Sequence, residues 1–152
     1  MLNQSQFIQV FYGAGISKVL SLGAITELGN SYDEGGAFSY CQNLTAVTLP
    51  STLTILNQVQ FQYSPNFHTL TIPASVATIK GYWSVIGRSQ ITELICLGET
   101  PPTVTSTSFT SAAGLQSIKV PASASDIYIK QQPSGVIMLV SLQQYNCFTI
   151  TR

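Results

Sequence analysis

Ala37-Phe38-Ser39-Tyr40-Cys41-Gln42-Asn43-Leu44-Thr45-Ala46-Val47-Thr48-Leu49-Pro50 decides the fold, because its second half recurs along the chain. Leu44 to Pro50 is answered by Phe67-His68-Thr69-Leu70-Thr71-Ile72-Pro73. It returns as Ile91-Thr92-Glu93-Leu94-Ile95-Cys96 and as Leu115-Gln116-Ser117-Ile118-Lys119-Val120-Pro121, and Ile16-Ser17-Lys18-Val19-Leu20-Ser21 is a weaker first copy. The phrases begin at 16, 44, 67, 91 and 115, in steps of 28, 23, 24 and 24 residues. A fixed period in this range marks a solenoid, in which each unit buries its apolar face only by stacking on its neighbours.

The intervening segments repeat too. A second apolar pair, three residues apart, follows three of the phrases as Ile25/Leu28, Leu53/Leu56 and Val76/Ile79. A large aromatic comes next, at Phe38, Phe61, Trp83 and Phe109, six residues before the following phrase in three cases and eight at Trp83. Within a phrase, Val47 and Leu49, like Leu70 and Ile72, are two apart and point to one side of a strand. Thr48 and Thr71 then face outward, where β-branched residues suit a pleated surface. Pro50, Pro73 and Pro121 cannot donate to a ladder, so they end the strands. The spacing predicts a mainly β solenoid of short parallel strands, about five turns of 23–24 residues, with little helix. Its interior is plugged by a column of Phe38, Phe61, Trp83 and Phe109.

The pattern resembles the BspA-like leucine-rich repeat family, whose unit reads roughly A-F-x-x-C-x-x-L-x-x-I-x-I-P-x-S-V-x-x-I. Ala37 to Pro50 matches every anchor of that unit, and Ile72-Pro73-Ala74-Ser75-Val76-Ala77-Thr78-Ile79 matches nearly as well. Thr100-Pro101-Pro102-Thr103-Val104, then Phe109, then Val120-Pro121-Ala122 resemble the family's closing module. The third unit departs, with Tyr82-Trp83 in place of Ala-Phe and no cysteine. The resemblance covers residues 16–132 and implies a right-handed leucine-rich-repeat solenoid used for adhesion or attachment at surfaces. As one domain, the chain divides into an N-terminal cap at 1–15, repeats over 16–132 and a C-terminal cap at 133–152, with strands near Val136–Val140 and Tyr145–Thr151.

The chain has 152 residues, 45% of them apolar, enough for a real core. Charged residues are only 8%, against about 25% in ordinary soluble proteins. Six Lys/Arg balance six Asp/Glu, so there is no basic patch to neutralise phosphates and nucleic acid is not an expected partner. Met1 to Val10 has neither the basic nor the apolar region of a signal peptide. Val136-Ile137-Met138-Leu139-Val140 is far too short to span a bilayer, which needs about 20 residues. The expected location is extracellular, on a virion or a bacterial cell surface; a virion component, released by lysis, needs no signal peptide.

Chemistry-bearing residues are sparse. Cys41, Cys96 and Cys147 form an odd set without C-x-x-C spacing, so neither a disulfide framework nor a zinc site is expected. Cys41 and Cys96 occupy repeat anchors and read as small buried apolar residues. His68, the only histidine, replaces Thr45, Thr92 and Gln116 of other phrases and reads as a solvent-facing strand-edge residue. No G-x-S-x-G turn is present, adjacent Asp33 and Glu34 would point apart in extended chain, and Gly13-Ala14-Gly15 lacks the rest of a phosphate loop. No cofactor, metal or catalytic residue is expected, and the chain reads as a non-enzyme.

Specificity is then sought in departures from the repeat. The long first step places its surplus within Asn30 to Gly36, which holds Tyr32, Asp33 and Glu34; this is either a protruding contact loop or a tolerated insertion. Tyr40 and Tyr63 each lie two residues after an aromatic anchor and should stack, as a glycan or protein contact or as cross-strand packing. Tyr32, Asp33, Glu34, Tyr40 and Tyr63 are the candidate binding residues. Two functions follow: a structural or attachment subunit docked to itself or to a larger assembly such as a phage virion, or a secreted bacterial adhesion module that binds host protein or glycan.

Overall fold

A computed structural model describes residues 11–29, 36–57, 60–80, 89–104, 108, 114–130, 139–143 and 147–151, with backbone alone from residue 129 on. Every phrase places a strand in one column: β1 (Lys18–Val19), β3 (Ala46–Val47), β5 (Thr69–Ile72), β7 (Glu93–Cys96) and β9 (Ser117–Pro121). The segments that carry the second apolar pairs form another column: β2 (Glu27–Leu28), β4 (Ile55–Leu56) and β6 (Thr78–Ile79), with β8 (Thr103–Val104) completing it. All pairings within these columns are parallel, with like residues in register: Leu28 beside Leu56 beside Ile79, and Leu70 beside Leu94 beside Ile118.

The alternation read from the phrases is the alternation of burial. Leu70, Ile72, Leu94, Cys96, Ile118 and Val120 point into the core, while Thr69, Thr71, Glu93, Ile95, Ser117 and Lys119 are wholly or partly exposed. Fully burying a residue such as Leu28, Leu56 or Leu70 stabilises the fold by about 1.5–3 kcal/mol. The turn after the strand is the same from coil to coil. Leu53 N–H donates to the Pro50 carbonyl at 3.0 Å, and Val76 N–H to the Pro73 carbonyl at 3.1 Å. Proline thus supplies the acceptor of the turn that its lack of a donor helps begin.

The phrase column is not the single sheet that the even register suggests. β1 pairs only with β3, whereas β5, β7 and β9 belong to a five-stranded sheet, and no ladder joins β3 to β5 among the described residues. The backbone donors that flank β3, Thr45 and Thr48 N–H, turn to the Ser17 and Val19 carbonyls of the first coil. Strand length does not account for the gap, since β4 and β6 are equally short and each pairs on both sides.

Beyond β9 the direction reverses. β11 (Cys147–Thr151) lies antiparallel against β9, and β10 (Leu139–Gln143) lies antiparallel against β11. A 3-10 turn at Ala122–Ala124 leads into the helix α1 (Ser125–Lys130). Its Tyr128 is buried and donates its hydroxyl to the Gly98 carbonyl at 3.0 Å.

At the back of the coil the aromatic anchors stack. Phe38 and Phe61 have ring centroids 5.3 Å apart and nearly parallel planes, and both are fully buried. Phe11 extends the column on one side at 5.3 Å, and Phe67 closes on Phe61 at 4.6 Å. Phe67 is a phrase residue, equivalent to Leu44, so the column borrows from a position that elsewhere carries an aliphatic side chain. Trp83 and Phe109 lie outside the described residues.

Candidate functional site

The corner between the aromatic column and the phrase strands is where the chain puts tyrosine on the surface. Phe38 N–H donates to the Gln60 carbonyl and Tyr40 N–H to the Gln62 carbonyl, so successive coils are tied together here as firmly as in the strands. The segment then reverses sharply. Leu44 N–H donates to the Cys41 carbonyl and Phe67 N–H to the Ser64 carbonyl, the same turn one coil apart. To enter it, Tyr40 and Tyr63 adopt left-handed backbone, with φ of 61° and 56°. That region suits glycine or asparagine; a bulky residue is uncommon there and is held at a cost in strain.

The rings form a ladder. Tyr40 and Tyr63 have centroids 4.9 Å apart, tilted by 43°, and Tyr12 continues the line at 5.1 Å from Tyr40, tilted by 46°. Phe11, Phe38 and Phe61 stack with planes within 8° and cover one another; the tyrosines are tilted and part of each is uncovered, at 46%, 40% and 41% exposure for Tyr12, Tyr40 and Tyr63. The expected stacking of Tyr40 on Tyr63 is therefore present. Tyr12 is the rung that the sequence reading missed. Phe11 stands five residues before its phrase instead of six, with no residue between it and Tyr12, whereas Tyr12 keeps the four-residue lead to Ile16 that Tyr40 has to Leu44 and Tyr63 to Phe67; counting back from the phrase finds it.

A row of amides runs beside the rings. Gln42 Nε2 donates to the Tyr63 carbonyl at 3.3 Å, Asn66 Nδ2 to the Gln42 carbonyl at 2.7 Å, and Asn43 Nδ2 to the Gly15 carbonyl at 3.5 Å. All three side chains are exposed. Each spends one of its two amide N–H donors on the backbone of an adjacent coil, and the exposed amide keeps further donor and acceptor capacity. Residues 11–15, 36–43 and 60–66, which build the corner, contain no Asp, Glu, Lys, Arg or His.

Beneath the surface the corner is pinned by buried polar groups. Cys41 Sγ donates to the Phe11 carbonyl at 2.8 Å. One coil on, Ser64 Oγ takes the cysteine's place, accepting from Cys41 N–H at 3.1 Å and donating to the Phe38 carbonyl at 2.6 Å. Burial pushes the Cys41 thiol above its ordinary value and the Cys96 thiol up to about 12, so both stay protonated and unreactive at neutral pH. His68 is exposed, with Nδ1 3.0 Å from the Gln90 carbonyl and no nucleophile in its hydrogen bond. Among the described residues, no three of His, Cys, Asp and Glu come together as a metal-binding group. Nor is any helix among them long and apolar enough to cross a membrane. Tyr32, Asp33 and Glu34 lie outside the described residues, so of the five candidates the structure brings together Tyr40 and Tyr63.

What such a corner offers chemically is a binding surface of aromatic rings, hydroxyls and amides. No curated protein matches the chain in sequence. The model of the BspA type leucine rich repeat region matches residues 9–131 in six copies, beginning ahead of the Phe11-Tyr12 copy. Repeats of this kind are typically non-catalytic scaffolds for protein or surface interaction. With well over half of its length inside that match, the chain belongs to the BspA-type leucine-rich repeat family.

Proposed function

We propose that the chain is a non-enzymatic attachment subunit, docked to itself or to a larger assembly such as a phage virion, with the tyrosine corner as its contact surface for protein or glycan. The observation that carries this reading is the uncharged corner itself. It exposes three tyrosines and three amides over a stretch without a single ionisable acid or base other than the tyrosines and a buried thiol. Interfaces are enriched in tyrosine and depleted in Lys, Glu and Asp. Burying Gln or Asn also costs far less than burying an ion. Contact made this way is nearly insensitive to salt, since there are few charges to screen. Tyr32, Asp33 and Glu34 are proposed to add contacts from the neighbouring loop.

Light scattering in moderate salt, together with co-sedimentation with particles and with cell envelopes, tests the proposal. The expected result is an oligomer or a particle-bound chain that persists as salt rises. A monodisperse monomer that sediments with neither would remove the assembly role. The second reading, a secreted adhesion module acting as a free chain, is favoured by the family match, whose repeats are typically surface-associated.

A further inference from the structure

We infer that the Tyr12–Tyr40–Tyr63 ladder with its amide row is a binding site for a neutral, unbranched polysaccharide that lies along the solenoid axis. The inference rests on the reading of the chain as an attachment module and names the chemistry of what its corner holds.

Four observations converge on a sugar polymer. The first is periodicity. The rings repeat at 5.1 and 4.9 Å in one line, because each rung comes from a successive coil. A surface that repeats at the level of single residues suits a ligand that repeats in the same way; a polypeptide offers a different side chain at each step, whereas a simple polysaccharide offers the same ring. The second is chemical complementarity. A pyranose has apolar C–H faces and a rim of hydroxyl donors. The partly uncovered tyrosine rings meet the former, and the exposed amides of Gln42, Asn43 and Asn66, each with one N–H held by the backbone, hydrogen-bond the latter.

The third is charge. The three segments that build the corner hold no lysine, arginine or histidine to pair with sulfate, phosphate or uronate groups, and no acid to pair with amino sugars. Stacking on nucleic-acid bases would need a basic groove for the backbone, which these segments do not supply. The fourth is strain. Tyr40 and Tyr63 hold left-handed backbone at positions where asparagine would sit more comfortably. Strain of this kind collects at functional sites, and here it accompanies the ring at two of the three rungs; in the first coil Gly13, next to Tyr12, takes the left-handed backbone.

The backbone conformation also supplies the test. Tyr40→Asn and Tyr63→Asn remove the rings while fitting the left-handed backbone, so both variants are expected to fold, with thermal melting as the check. Calorimetric titration of the wild-type chain with neutral gluco-, manno-, galacto- and N-acetylglucosamine hexasaccharides, at low and high salt, should find at least one that binds with little salt dependence. Either asparagine variant should lose at least about tenfold in affinity for it, while Tyr63→Phe should keep most of the binding, because the ring face is retained. Binding that survives in Tyr40→Asn and Tyr63→Asn would overturn the inference. So would a wild-type chain that binds none of the sugars; if it still self-associates or sediments with particles, and the asparagine variants do not, the ladder is a protein contact and the attachment role stands without the glycan. Sugar binding by a chain that stays monomeric and particle-free would uphold the inference and remove the assembly role.

Discussion

Replacing Phe61 by leucine should weaken the fold in a way that only a stacked column explains. Phe61 is fully buried, with Phe38 on one face at 5.3 Å and Phe67 at 4.6 Å. Each ring pair contributes about 0.5–1.5 kcal/mol beyond its buried area, so losing two costs about 1–3 kcal/mol. The change of shape in a packed interior adds roughly 1 kcal/mol, giving about 2–4 kcal/mol in all. Phe38→Leu, which breaks the contacts to Phe11 and Phe61, should cost a similar amount. The two share one contact, so the double variant should fall short of the sum by about 0.5–1.5 kcal/mol. Phe38→Leu with Ile118→Ala is the control. Ile118 lies on β9, three coils from Phe38, where each coil packs only on its neighbours, and the two effects should add to within about 0.5 kcal/mol. Urea unfolding followed by far-ultraviolet circular dichroism, with slopes compared across variants, gives each value. If the Phe38/Phe61 pair is as additive as the Phe38/Ile118 pair, the two rings are not coupled and the stacking argument fails.

Gly29→Ala should destabilise the chain by about 2–4 kcal/mol in the same urea assay, since the glycine has φ +76° and a Cβ there would lie 2.1 Å from Gln60 Nε2. Gln60 is buried and its Oε1 accepts the Ala37 N–H, so it cannot swing aside without orphaning that donor; a loss under about 0.5 kcal/mol would refute this. Burial raises the Cys96 thiol to about 12, above its unfolded value of about 8.5, so its contribution is present at neutral pH and is lost as pH climbs through that window. Stability should therefore fall above about pH 8.5 by up to 1.4 kcal/mol per pH unit from this group, and Cys96→Ala should flatten the slope; an unchanged slope would show the thiol is not the cause. Lys119→Gln breaks the surface pair with Glu93 and should shift the urea midpoint by less than about 1 kcal/mol, a value that moderate salt should reproduce in the wild type.

The repeat was legible because a solenoid uses each apolar position in the same way in every coil, so geometry becomes period. The spacing of Val47 and Leu49, the prolines after the strands and the six-residue lead of Phe38 and Phe61 each read directly as an inward pair, a strand end and a plug. The stacking of Tyr40 on Tyr63 was legible for the same reason, since equal offsets from equal anchors must lie one above the other. The residue missing between Phe11 and Tyr12 broke the six-residue lead in the sequence but not in space, where Phe11 still stacks on Phe38. Tyr12 was legible all the same, since it leads Ile16 by the four residues with which Tyr40 leads Leu44.

Other features belong to tertiary structure alone. Sequence period does not say whether neighbouring strands complete a ladder, and β3 turns its flanking donors toward the first coil while β5 begins a separate sheet. Nor does it say that Phe67 closes the aromatic column, because the phrase assigns that position to an aliphatic residue. The left-handed backbone of Tyr40 and Tyr63 is imposed by the turn that coil-to-coil hydrogen bonds demand, against the local preference of tyrosine. Local sequence determines which side of a strand a residue occupies, since that follows from alternation along the chain. Which residues meet across coils, and which rings remain open to a ligand, is decided by stacking, because those contacts join residues more than twenty positions apart.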